Sequence, residues 1–111
     1  MQPSRPALRC LAILAAAVLV GCSSVEPQPF ELYTHCGLDR SLIRFDGFFW
    51  GAQGPGPLSD GSGNPPQGFG NPFDHGSIAR TGADAAVFVS SGGVRVELVR
   101  LDRRPDIAPC R

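Results

Sequence analysis

One continuous stretch, residues 51–76, is half glycine and proline: eight glycines and five prolines stand in its 26 positions. Glycine loses more backbone entropy on folding than any other residue, and proline has no backbone N–H to donate. The composition therefore excludes a helix or an inner strand here and predicts one long loop. Loops of this length in a small domain are generally either functional or disordered, so the flanking segments have to supply the fold.

The segments that flank this loop carry the sequence patterns of β-strands. Fourteen glycines and eleven prolines exceed a fifth of the 111 residues, which rules out a fold dominated by long helices. Alternating apolar residues predict four strands and a short edge strand, at residues 30–36, 42–50, 77–81, 85–90 and 94–101. Ser90-Ser91-Gly92-Gly93 separates the last two, and its glycines accept the positive φ of a hairpin turn.

The second predicted strand, residues 42–50, has apolar side chains on both of its faces. Its alternation gives a core face of Ile43, Phe45, Gly47 and Phe49. Phe48 and Trp50 then fall on the opposite face, where this core cannot cover them. Either Phe69 or Phe73 from the long loop folds over Trp50, which we expect, or Trp50 stays open and marks a binding surface. The candidate binding surface thus consists of four aromatic residues: Phe48, Trp50, Phe69 and Phe73.

The N-terminal residues have the composition of an export signal. Arg5 and Arg9 precede an apolar run of 11 residues, 10–20, which is about half of the ~20 needed to span a bilayer. The sequence that follows, Leu19-Val20-Gly21-Cys22, resembles the lipobox of bacterial lipoproteins. This resemblance implies cleavage before Cys22 and a diacylglyceryl group on its sulfur, whose two acyl chains hold stably in a membrane. The alternative is an ordinary signal peptide.

The resemblance to lipoproteins also divides the chain and implies a location. Residues 1–21 are the expected signal peptide, residues 22–29 the lipidated cysteine and a polar tether, and residues 30–111 a small β-rich domain. We expect the protein at the cell membrane, lipid-anchored on its extracytoplasmic face.

The four cysteines agree with an oxidising compartment. Cys10 is removed with the signal and Cys22 carries the lipid, which leaves Cys36 and Cys110 as an even pair that predicts one disulfide. A closure of this length contributes about 4 kcal/mol on the chain-entropy model. A reactive or metal-binding thiol pair is the alternative. The predicted fold is mainly β: a small antiparallel sheet or sandwich with a long Gly/Pro-rich loop and one disulfide.

The body of the chain resembles a group of small, uncharacterised actinobacterial lipoproteins and secreted proteins. The matching residues are Tyr33-Thr34-His35-Cys36-Gly37, then Gly47 with Trp50, then Pro109-Cys110-Arg111. The resemblance covers about residues 31–111. It supports the disulfide and the fold, and it implies no activity.

Few residues suggest chemistry. A net charge of zero gives no basic surface for nucleic acid. Residues 60–64, in a half of the loop that we expect to be mobile, begin like a calcium loop. Pro65 and Asn71, however, replace its required glycine and glutamate. His35 and His75 belong to no metal or catalytic spacing.

We therefore expect no enzymatic activity, no metal and no cofactor, but a lipid-anchored, non-enzymatic binding or structural module of the cell envelope. Its partner besides the membrane would be an envelope protein, a glycan or a small ligand. The alternative is a small envelope hydrolase or metal-dependent enzyme that uses His35 or His75.

Overall fold

The structure is a computed structural model that describes residues 26–108. The predicted signal peptide, the lipidation site Cys22 and the disulfide partner Cys110 lie outside these residues. Six strands form one antiparallel sheet: β1 Gln28–Tyr33, β2 Ile43–Phe45, β3 Phe48–Gly54, β4 Phe73–Arg80, β5 Ala85–Val89 and β6 Arg95–Leu101. A 3₁₀ helix, Leu38–Arg40, connects β1 to β2. The strand order is β1-β4-β5-β6-β3-β2, and the mainly β prediction is confirmed.

The sheet curls until its two edge strands, β1 and β2, almost meet. The rings of Phe30 in β1 and Phe45 in β2 pack edge to face with centroids 6.1 Å apart. Where β1 ends, the Ser41 hydroxyl donates to the Tyr33 carbonyl. The result is nearly a barrel, with a seam between β1 and β2.

The interior of this curled sheet is one continuous hydrophobic core. Its fully buried large side chains include Trp50, Phe88, Leu38, Ile43 and Ile78. Burying an apolar side chain of this size contributes about 1.5–3 kcal/mol. The core draws on every strand, so no single hairpin would be stable alone.

The predicted β5–β6 hairpin is confirmed. The two strands pair from Ala85↔Val99 to Val89↔Arg95. Their turn is closed by hydrogen bonds from the Ser90 backbone N–H to the Val94 carbonyl, 2.9 Å, and from the Gly93 N–H to the Ser90 carbonyl, 2.9 Å. The side chains in the core cluster alternate along the two strands as expected: Ala86, Phe88, Val96 and Leu98. Val87, between two of them, is also buried.

The prediction of one continuous strand over residues 42–50 is wrong. Asp46 and Gly47, at φ 56° and 81°, form a two-residue turn that reverses the chain. Asp-Gly suits such a turn because both central residues need positive φ. Ile43 therefore pairs with Trp50 across the β2–β3 hairpin, and both side chains are buried.

The long loop is shorter than predicted, because its ends belong to the sheet. Gly51–Gly54 completes β3, which lies between β6 and β2, and Phe73–Gly76 begins β4, which lies between β1 and β5. Two predictions are therefore wrong: that residues 51–76 contain no inner strand, and that residues 77–81 form a short edge strand. Gly76 explains why: a Cβ there would collide with the Val89 carbonyl and the Phe88 ring. Glycine permits this close approach within a sheet.

The first strand is also displaced from its predicted position. It runs from Gln28 to Tyr33, not from Phe30 to Cys36, so the sheet begins inside the predicted tether. Cys36 has a φ of 74° and lies in the turn after β1. The loop is fixed against this turn, because the Cys36 N–H donates to the Gly63 carbonyl at 2.8 Å and the Leu38 N–H to the Leu58 carbonyl at 2.6 Å.

Candidate functional site

Two aromatic side chains lie exposed together where β1 ends and β4 begins. Tyr33 and Phe73 are direct partners in the β1–β4 register, and their rings pack edge to face at 5.3 Å. They are 38% and 44% exposed, and Leu42, before β2, is 41% exposed. A paired aromatic surface of this kind is typical of a binding site rather than of an inert surface.

A groove of about 450 Å³ adjoins this aromatic pair. We call it the Tyr33 groove, and it is lined by Tyr33, Arg40, Leu42, Arg104, Pro105, Asp106, Ile107 and Ala108. One wall is the irregular segment 104–108, which follows β6. This segment is held in place in part by Arg40, whose Nη2 donates to the Ala108 carbonyl at 3.2 Å.

The groove combines apolar surface with positive charge. Tyr33, Leu42 and Ile107 supply ring and aliphatic surface. Two arginines, Arg40 and Arg104, and one acidic residue, Asp106, line the groove, and Arg104 forms no ion pair within residues 26–108. Because guanidinium groups bind carboxylates and phosphates through paired hydrogen bonds, the groove suits a ligand with an acidic group and an apolar or ring-shaped portion.

The same Arg40–Ala108 bond bears on the predicted disulfide. It brings the described end of the chain beside the segment that follows Cys36, and no cysteine within the described residues is free. Both facts support a Cys36–Cys110 bond. Since Cys110 lies outside the described part, the bond stays a prediction.

Trp50 does not belong to an exposed surface, and the expectation that the core cannot shelter it is wrong. It is fully buried, packs against Phe45 with centroids 6.2 Å apart, and donates from Nε1 to the Phe45 carbonyl at 2.8 Å. The Asp46-Gly47 turn is the cause, since it places Trp50 on the same face as Ile43.

The other three aromatic residues of the candidate surface lie in separate places. Phe69 stacks on Phe88 at 6.4 Å and packs against the core. Phe73 pairs with Tyr33, and neither loop aromatic stacks on Trp50, contrary to expectation. Phe48, 36% exposed, lies at the opposite end of the sheet.

The two histidines are not brought together. His35 lies in the turn after β1, with Nδ1 3.3 Å from Asn71 Oδ1. His75 is exposed on β4 opposite Glu31, whereas the His35 N–H donates to the carbonyl of Pro72, three residues before His75. Neither histidine lines the Tyr33 groove. Within residues 26–108 no group of three histidine, cysteine or acidic side chains is arranged to hold a metal ion.

The most buried acidic residue, Asp74, was not distinguished by any sequence pattern. Its side chain accepts hydrogen bonds from the Gly70 N–H at 2.8 Å, the Ser91 N–H at 2.9 Å and the Ser91 hydroxyl at 2.6 Å. Asp74 thereby ties the end of the loop to the β5–β6 turn. A buried carboxylate that accepts three hydrogen bonds from within the protein has the contacts of a structural group.

Asp60, in contrast, is exposed and shapes the first half of the loop. It accepts from the Ser62 N–H at 2.7 Å and the Asn64 N–H at 3.2 Å. The Ser62 hydrogen bond is the main cause that holds the pKa of Asp60 below its ordinary value. The segment that resembles the start of a calcium loop is therefore a turn stabilised by its own carboxylate.

Comparison with known proteins identifies no relative of this chain. No family model, no curated protein and no solved structure matches the chain. In the part of the chain that the structure describes, no helix is long and apolar enough to cross a membrane.

Proposed function

We propose that the protein is a lipid-anchored, non-enzymatic binding module on the extracytoplasmic face of the cell membrane, with the Tyr33 groove as its ligand site. The exposed Tyr33–Phe73 pair beside a groove with two arginines carries this proposal. Exposing two large rings costs free energy in water, and a ligand that covers them recovers it. The hydrolase alternative has less support, because neither histidine lines this groove.

The position of β1 relates the anchor to the groove. Cys22 precedes Gln28 by six residues, or about 20 Å of fully extended chain. Tyr33 is the last residue of β1, about 17 Å along the strand from Gln28. With Cys22 lipidated, the groove lies at the end of the sheet away from the membrane, where envelope ligands have access.

The anchor and the ligand site are tested separately. Mass spectrometry of the native protein should find a chain that begins at Cys22 and carries diacylglycerol, and Cys22→Ala should release the protein from membranes. An unmodified Cys22 on a soluble secreted chain would refute the anchor.

For the ligand site, NMR titration with acidic glycan fragments of the cell envelope should shift the Tyr33 ring and the Arg104 side chain. Tyr33→Ala should weaken binding, whereas Phe48→Ala, which removes a similarly exposed ring at the other end, should leave the affinity unchanged. Equal losses in the two variants would contradict the assignment of the groove. If these fragments bind nowhere, acidic peptides are the next class to titrate against the same pair of variants.

A further inference from the structure

The end of the sheet at which the chain enters carries its own exposed cluster. Several strand ends meet there, because the register is antiparallel throughout: Gln28 pairs with Ile78, Ala85 with Val99 and Phe49 with Leu101. The Asp46-Gly47 turn and Phe48 lie at this same end. The Tyr33 groove lies at the other end, so the two surfaces are distinct.

The ring of Phe48 is held at the surface by two guanidinium groups. The Cζ atoms of Arg80 and Arg100 lie 5.4 and 4.7 Å from its centroid, at the distance of cation–π contacts. We call Phe48, Arg80 and Arg100 the Phe48 cluster.

Each arginine of the cluster is fixed by further contacts. Arg80 binds Asp46 at 2.6 Å and donates to the Gly82 and Ala83 carbonyls, while Arg100 binds Asp84 at 2.8 Å. Phe48 therefore lies against two side chains that have partners of their own, and the residue is 36% exposed.

We propose that the Phe48 cluster rests on the membrane that holds the lipid anchor, with the Phe48 ring among the lipid headgroups and the two guanidinium groups level with the phosphates. This inference rests on the proposed lipidation of Cys22. The tether supports it, because a chain that leaves the bilayer at Cys22 enters the sheet at this end after only five intervening residues. Aromatic rings and arginine stems are both favourable at the boundary between water and hydrocarbon.

The charges around the cluster determine how strongly its contact with the membrane depends on anionic lipid. Asp46 pairs with Arg80 and Asp84 with Arg100, so these two aspartates balance the positive charge of the cluster. The contact therefore depends on the ring and only weakly on anionic lipid. Since two acyl chains already hold the protein stably, the cluster sets the orientation of the domain rather than its affinity for the membrane.

Fluorescence quenching by lipid tests the proposal on the full-length lipidated protein. Phe48→Trp and the matched control Phe73→Trp are reconstituted in phosphatidylcholine vesicles with or without brominated acyl chains near the headgroup. The wild type supplies the baseline of the buried Trp50. The emission added by Phe48→Trp should be quenched roughly threefold more than that added by Phe73→Trp, with or without phosphatidylglycerol. Equal quenching, or stronger quenching of the Phe73→Trp protein, overturns the proposal.

A second measurement needs no substitution in the cluster. Hydrogen exchange at Gly47 should slow when the lipidated protein is in vesicles, relative to the soluble Cys22→Ala protein, while exchange at Gly92 in the turn at the other end should not change. Flotation with vesicles and the mass of the chain test the lipid anchor separately from the membrane contact of the Phe48 cluster. A chain without lipid refutes the anchor and this inference together. A lipidated chain that floats without protection at Gly47 refutes only the membrane contact of the Phe48 cluster.

Discussion

Removing the buried carboxylate of Asp74 is the sharpest test of how the loop is held. In Asp74→Ala, the backbone N–H groups of Gly70 and Ser91 lose an ionised acceptor, and the Ser91 hydroxyl turns to water. A hydrogen bond to a charged group contributes about 1.5–3 kcal/mol. Because both N–H groups are only partly buried, the lower limit applies to each, for a total of about 3 kcal/mol. That is a large fraction of the roughly 4–12 kcal/mol expected for a domain of this size.

The assay is thermal and urea unfolding of the protein under non-reducing conditions. A loss of about 3 kcal/mol lowers Tm by about 12–24 °C in a domain of this length. The loss of Tm in Asp74→Asn should be smaller than in Asp74→Ala, since the amide keeps one acceptor oxygen but turns its NH₂ toward a donor. Asp60→Ala is the matched control: Asp60 also accepts three hydrogen bonds within the loop, but in full contact with solvent. Equal losses of Tm for Asp74→Ala and Asp60→Ala would refute the argument that burial decides the magnitude.

Three further predictions concern the turn, the loop and the disulfide. Gly47→Ala should lower the free energy of unfolding in urea by about 1–2 kcal/mol, because a φ of 81° is unfavourable for alanine. Steric contact is not the reason, since the added Cβ would meet no atom. An unchanged midpoint of unfolding would contradict the positive φ at this turn. The Ser62 hydrogen bond lowers the pKa of Asp60, so it stabilises the loop above the ordinary pKa of 3.8 and is lost as the pH falls through the lowered pKa. The NMR shift of the Ser62 amide should therefore titrate below pH 3.8. This titration should disappear in Asp60→Asn. Cys36→Ser and Cys110→Ser should each cost about 4 kcal/mol and the double variant no more, whereas additive losses would exclude a shared bond.

Local signals were sufficient for the last hairpin. In β5 and β6 the alternation of apolar residues, the glycine-rich turn and the pairing are all set by neighbours in sequence, and the strand bounds agree with the prediction to within one residue. The mainly β class follows from the same patterns together with the high content of glycine and proline.

The errors arise where one local rule was applied without its competitor. Alternation over 42–50 looks continuous, but Asp46-Gly47 is a strong hairpin signal, and a reversal there changes the face to which every later residue belongs. Glycine was likewise treated as a strand breaker. Gly51 and Gly76 both lie in inner strands. At Gly76 neighbouring groups occupy the space where a side chain would be.

The Tyr33 groove could not have been predicted from local patterns. Tyr33 and Phe73 become neighbours only through the β1–β4 register, and the wall formed by residues 104–108 depends on a contact between Arg40 and Ala108. Phe73 was a candidate for binding, but for its contact with Trp50 rather than with Tyr33. No periodicity within one segment carries information about such pairings.

The groove also lies across the seam between the two edge strands of the sheet. Tyr33 ends β1 and Leu42 immediately precedes β2, so the groove straddles the seam between the two edge strands. Across this seam the Phe30–Phe45 ring contact and the Ser41–Tyr33 hydrogen bond stand in place of a strand ladder. A ligand that contacts both Tyr33 and Leu42 binds the closed sheet better than an opened one, and it therefore stabilises closure in proportion to its occupancy. Because β1 is also the strand that follows the proposed lipid anchor, the ligand would strengthen the element through which the domain is attached to the membrane.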